Sequence, residues 1–189
     1  MSRIIADRRL SADDRAALLA LARRAIEAAL AGCPPPVIPG VPGATLRRGA
    51  FVTLEGYGRE LRGCIGHIPG DRPLGEVIRQ VAVSAARSDP RFPPVTADEL
   101  SELRIEISVL DAPVRAGKAN CCGLMIGHHG VLVRRGRTQA VLLPQVATEQ
   151  GMNAEAFLRA VCQKAGLSVD SWREPDTHVF TFTADVFVE

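Results

Sequence analysis

Leu19, Ala22, Ile26 and Leu30 recur at helical spacing, so the pattern predicts a first helix from about Ala12 to Ala31. Ser11 can cap it, with Asp14 placed for a capping box, and Gly32 with Pro34-Pro35-Pro36 stops it. Val37 to Arg48, with Pro39 and Pro42, reads as a connecting arm or an active-site border. Ala50 to Leu54 reads as a strand, and Gly56-Tyr57-Gly58 turns the chain back toward Leu61 in a hairpin. A second helix starts at Pro73, a first-turn proline, and lines up Leu74, Ile78, Val81, Ala85 and Ser88 on one side.

Asp89-Pro90-Arg91-Phe92-Pro93-Pro94 is extended, because residues before proline avoid helical backbone. Thr96 and Glu99 form a capping box for a short helix. Leu103, Ile105, Ile107 and Val109 then alternate with Arg104, Glu106 and Ser108, which predicts a strand with one buried face. Gly123 to Leu143 reads as strands broken at His128-His129-Gly130 and Gly136-Arg137. Asn153 caps a last helix to Ala165, and His178 to Val188 closes the chain as one strand. Without regular βαβ alternation, these elements predict an α+β fold with mostly antiparallel sheets packed against helices.

Composition narrows the function classes. The 189 residues fit one domain or two small lobes. A net charge of +2 and 4% aromatic residues argue against a nucleic-acid surface, which needs basic patches and stacking platforms. No apolar run approaches the ~20 residues of a membrane span. The charged amino terminus lacks a secretory h-region, and five cysteines without a framework suit a reducing compartment, so a cytoplasmic location is expected.

The chemically suggestive stretch is Arg62-Gly63-Cys64-Ile65-Gly66-His67. Gly63 and Gly66 would permit positive φ and close approach of a ligand to the backbone. Arg62 would share a strand face with Cys64 and favour its thiolate, and His67 would accept a proton if the turn folds back. The alternative is a packed cysteine between turn glycines. Asp89 and Arg91 form either an ion pair pinning their loop or a donor fork for an anion. Glu106 lies on the polar face of its strand, and Pro144-Gln145 reads as a strand end carrying an amide toward a cleft. Cys64 with His67, and His128 with His129, have ligand-like spacing, but no four-ligand zinc set is visible. Cys33 and Cys162 read as packing residues, and Arg134-Arg135 with Arg137 as a solvated hairpin. Neither a metal nor another cofactor is expected.

Leu61-Arg62-Gly63-Cys64-Ile65-Gly66 resembles the signature of the AMMECR-type domain family. Asp89-Pro90-Arg91-Phe92, Ile105 to Leu110, Gly127-His128-His129-Gly130, Leu142 to Ala147 and Cys162 to Leu167 resemble further stretches of it, in the same order. The resemblance runs from about Leu10 to Glu189. Departures are Met152, where an aromatic is common, and Lys118 to Cys122, which looks particular to this chain. The resemblance implies one AMMECR-type domain over residues 1–189, in two unequal lobes with the signature near the groove between them. It is similar to AmmeMemoRadiSam system protein A, which implies a Memo-like protein and a radical S-adenosylmethionine enzyme as partners. The biochemical function of that family is not established.

The expected site therefore combines Cys64, Glu106 and His129 as catalytic candidates. Arg62, Gly63, Gly66, Asp89, Arg91 and Gln145 are its binding candidates for a small-molecule or peptidyl ligand. The contrasting expectation is a non-catalytic adaptor for the two partners.

Overall fold

The computed structural model describes residues 9–117 and 123–189. The stretch Lys118 to Cys122, which departs from the resemblance, lies outside the described residues. Two compact units emerge, one comprising residues 1–109 with 185–189 and the other residues 110–184.

In the first unit, α1 (Ala12–Leu30) starts at a complete capping box between Ser11 and Asp14. Asp14 is buried and its second oxygen accepts from the Gly43 amide at 2.7 Å, so one carboxylate caps the helix and ties down the turn at Pro42–Thr45. Strands β1 (Ala50–Glu55) and β2 (Leu61–His67) form the expected hairpin. Helix α2 (Leu74–Arg87) follows, with Pro73 as its N-cap residue, one position earlier than the first turn, and Ser88 at its C-cap. A capping box of Thr96 and Glu99 opens the single turn α3 (Ala97–Leu100), and β3 (Arg104–Leu110) follows. The sheet is completed by β8 (Ala184–Val188), in the order β2-β1-β3-β8.

Ala50, Val52, Leu54, Ile105, Ile107, Val109 and Phe187 supply one face of this sheet. It packs with Leu74, Val77, Ile78 and Ala85 of α2 and with Leu18, Ala22 and Ile26 of α1. Gly63 permits the close fit: a Cβ there would lie 2.3 Å from the backbone oxygen of Ala85.

The second unit contains β4 (Val114–Arg115), β5 (Gly130–Arg135), β6 (Thr138–Leu142), α4 (Pro144–Glu149), α5 (Ala154–Lys164) and β7 (His178–Phe182). Its sheet runs β4-β7-β5-β6 with antiparallel pairing. Phe157, Leu158 and Val161 of α5 pack with Val131, Val133 and Trp172 in a separate core. No helix among the described residues is long and apolar enough to cross a membrane.

The α+β class and antiparallel sheets match the expectation. Three elements differ. Residues Gly123 to His129 are turn and coil, because Gly127 has φ +81° and the His128 and His129 amides both return to the Met125 carbonyl. Pro144-Gln145 opens α4 instead of ending a strand, since the proline ring suits a first helical turn. The stretch His178–Val188 is two strands in two sheets, interrupted at Thr183, whose carbonyl accepts from the Asp111 amide.

Candidate functional site

Strand β2 is the edge of the first sheet, and its outer side is closed by the loop after α2. The buried Asp89 carboxylate accepts from the Cys64 amide at 2.8 Å. The same carboxylate holds Arg91 through Nε at 3.0 Å and Nη2 at 2.7 Å, and Arg91 Nη2 donates to the Cys64 carbonyl at 3.4 Å. Asp89 and Arg91 thus occupy the backbone groups a neighbouring strand would take, which protects an otherwise open edge. Arg91 draws the Asp89 carboxyl well below the usual carboxylate range, with further help from the Cys64 and Arg91 amides. The ion pair is therefore a structural clamp whose Arg91 side chain remains 53% exposed.

Arg62 falls at the register shift between the Leu54–Gly63 and Glu55–Leu61 pairs, so the strand alternation expected to align it with Cys64 is interrupted, and its guanidinium is turned to Glu99. Nε meets Oε1 at 2.9 Å, and Nη1 donates to the Pro93 carbonyl at 2.8 Å. Arg62 pulls Glu99 down to about 2. Its charge is already engaged in fastening the loop.

Cys64 is half-buried and projects from the sheet face opposite α2. Its backbone groups point outward to Asp89 and Arg91, so Cys64 and Thr53 face each other as a close, non-hydrogen-bonded antiparallel pair. The Thr53 hydroxyl donates to the Cys64 sulfur at 3.3 Å. On its other side Thr53 is in register with Glu106 of β3, also half-buried. Cys64, Thr53 and Glu106 accordingly form one cross-strand row on one face.

The glycines work differently from the sequence expectation. Neither has positive φ. Gly63 lies on the helix side, and Gly66 accommodates the Phe51 ring, which a Cβ would approach to 2.2 Å. His67 is on the face opposite Cys64 by strand alternation, and its Nε2 is 2.6 Å from Asp71. The expected proton transfer from Cys64 to His67 has no geometry here.

His129 and Gln145 belong to the second unit. His129 Nδ1 accepts from the Met125 amide at 3.1 Å. Both residues lie at the same end of the β5–β6 hairpin, one directly before Gly130 and one shortly after Leu142. Cys162 is buried within the second core, and burial pushes its thiol up. Among the described residues no group of three or more His, Cys, Asp or Glu side chains is arranged to hold a metal ion.

Thr53 was not singled out by sequence reasoning. The signal was its place between Val52 and Leu54 on the polar phase of β1, which gains meaning only with the hairpin register. Glu99 was seen as a cap, and its second partnership with Arg62 depends on the loop's path.

The AMMECR1 family profile matches residues 19–187. A protein of Methanothermobacter thermautotrophicus is 43% identical over 188 residues, covering 95% of this chain and 96% of its own. One from Methanopyrus kandleri is 46% identical over 149 residues, covering 76% of this chain and 72% of its own. The crystal structure of an uncharacterized protein from Pyrococcus horikoshii superposes with a TM-score of 0.86 at 39% identity, over 91% of this chain and 89% of that one. The chain belongs to the AMMECR1 family.

Proposed function

We propose that this protein is a thiol-bearing enzyme component, in which Cys64 acts on a small or peptidyl ligand at the face of the first sheet opposite α2. The observation that carries this reading is the position of Cys64. Its backbone is clamped at both polar groups, and its half-buried sulfur accepts from a hydroxyl. A fixed, half-buried sulfur beside a donor suits a thiolate nucleophile or thiol donor. The partners proposed are the Memo-like protein and the radical S-adenosylmethionine enzyme implied by the resemblance. His129 and Gln145 are proposed, on residue type alone, as an acid–base and an orienting group.

A second reading, a non-catalytic adaptor for the same partners, draws support from a different observation. Arg62, Asp89 and Arg91 satisfy internal groups, as parts of a structural surface would. The test mixes wild type and Cys64→Ser with the two partner proteins and follows complex formation and turnover separately. Binding retained with turnover lost supports the enzyme component. Binding and turnover both retained in Cys64→Ser would sink it in favour of the adaptor.

A further inference from the structure

The consecutive arginines of β5, expected to be part of a solvated hairpin, are sent to opposite faces of the second sheet. Val133 and Val179 mark the face that packs with α5, and Arg135 follows Val133 on it by strand alternation. There Arg135 is neutralised by Glu174 and by Asp176, the latter at 2.8 Å. Arg134 belongs to the other face, in register with His178 of β7. From the far side of β7, Arg115 of β4 joins the same face, in register with Phe180.

The two exposed arginines converge over β7. Arg115 Nη2 donates to His178 Nδ1 at 2.9 Å, and the Arg134 guanidinium lies over the Phe180 ring, 5.5 Å from its centroid. His178 and Phe180 are alternate residues of one strand, about 7 Å apart, a spacing that the oxygens of a diphosphate can bridge. Arginine only donates, so Nδ1 of His178 is an acceptor and the hydrogen of the neutral ring is on Nε2, a further donor. Among the described residues no carboxylate pairs with Arg115 or Arg134. Arg135, Arg159 and Arg173 of the same unit are all paired with acidic side chains. Two guanidiniums held side by side without a counter-charge are complementary to an anion.

We propose that Arg115, Arg134 and His178 form a binding site for the phosphoryl oxygens of a small phosphorylated molecule. The guanidinium fork matches such oxygens with two parallel N–H bonds. The basic patch is confined to one end of the sheet, because the next row of the same face, Leu132 and Val141, is buried and apolar. It therefore lacks the continuous track of charge and stacking platforms that a nucleic-acid strand requires. The site lies wholly within the second unit and makes no use of Cys64.

The experiment titrates the full-length protein with sodium pyrophosphate in a calorimeter at low ionic strength. Wild type should show saturable one-to-one binding that weakens as salt is raised. Arg115→Gln and Arg134→Gln should each lower the affinity roughly tenfold or more, as expected for losing hydrogen bonds to a charged group. Arg134→Lys should recover only part of the loss, since an ammonium keeps the charge without the fork. Arg159→Gln, which removes an arginine already paired with Asp170, should leave the affinity unchanged. Thermal melts check folding, and a lysine variant replaces any glutamine variant that fails. No saturable binding at millimolar pyrophosphate overturns the inference, as does an affinity unmoved when Arg115 and Arg134 are both replaced. Arginine-dependent binding to phosphatidylglycerol vesicles, with none to pyrophosphate, overturns it in favour of a membrane contact.

Discussion

A single carboxylate, Asp89, shows how much one residue can organise here. It is buried, receives the Cys64 amide and holds Arg91 in a forked pair. Its carboxyl is depressed in the fold relative to its ordinary value near ~3.9 in an unfolded chain. The stabilisation is therefore fully present above about pH 4 and is lost as pH falls through the folded value. Asp89→Asn should flatten the acid limb of the stability profile, measured as melting temperature from pH 2 to 7. Asp89→Ala should lower stability at pH 7 by roughly 1–3 kcal/mol, because the Cys64 amide then loses its acceptor. In hydrogen exchange the same variant should unprotect that amide. Cys64→Ser is expected to stay within about 1 kcal/mol of wild type in urea unfolding, since a serine hydroxyl can accept the Thr53 bond.

Packing of elements explains the glycines of the signature better than ligand access does. Gly63→Ala drives a methyl into the backbone of α2, where no rotamer change offers relief. Overpacking of that kind costs about 1–3 kcal/mol, occasionally more. Gly66→Ala instead meets the Phe51 ring, a side chain that can be removed. Phe51→Ala should therefore rescue Gly66→Ala but leave Gly63→Ala unrepaired, and chemical-denaturation cycles over the two pairs should reveal coupling only in the first. The helix starts follow the same logic. Ser11→Ala should cost about 1 kcal/mol as a lost cap, while Asp14→Ala should cost more, because the Gly43 amide loses its buried acceptor as well.

At the scale of the whole molecule, the first unit is discontinuous in sequence: its fourth strand comes from the last residues of the chain. Phe187 joins the first core, Arg15 pairs with Asp185 and Arg23 with Glu189. Phe187→Ala should destabilise the first unit by roughly 3–5 kcal/mol. Hydrogen exchange should show the loss in β3 and β1, with β5 and β7 retaining their protection. Equal loss in both sheets would show that the two units unfold as one. Metal analysis of protein purified without chelator should find no stoichiometric zinc, given the absence of a four-ligand spacing in the sequence.

Local signals fixed much of this in advance. Capping at Ser11, Thr96 and Asn153, the apolar spacing of α1, α2 and α5 and the alternation in β3 all act within a few residues, so they are legible in one dimension. The signature around Cys64 was legible as a motif. Its meaning was not, because the partners of these residues are distant in sequence: Thr53 and Glu106 reach Cys64's row through strand register, Asp89 and Arg91 through a returning loop. Only the tertiary structure turned Arg62 toward Glu99, put His67 on the other face, and divided His178–Val188 between two sheets. Periodicity specifies which face of an element is buried; which neighbour it meets depends on the path of the whole chain.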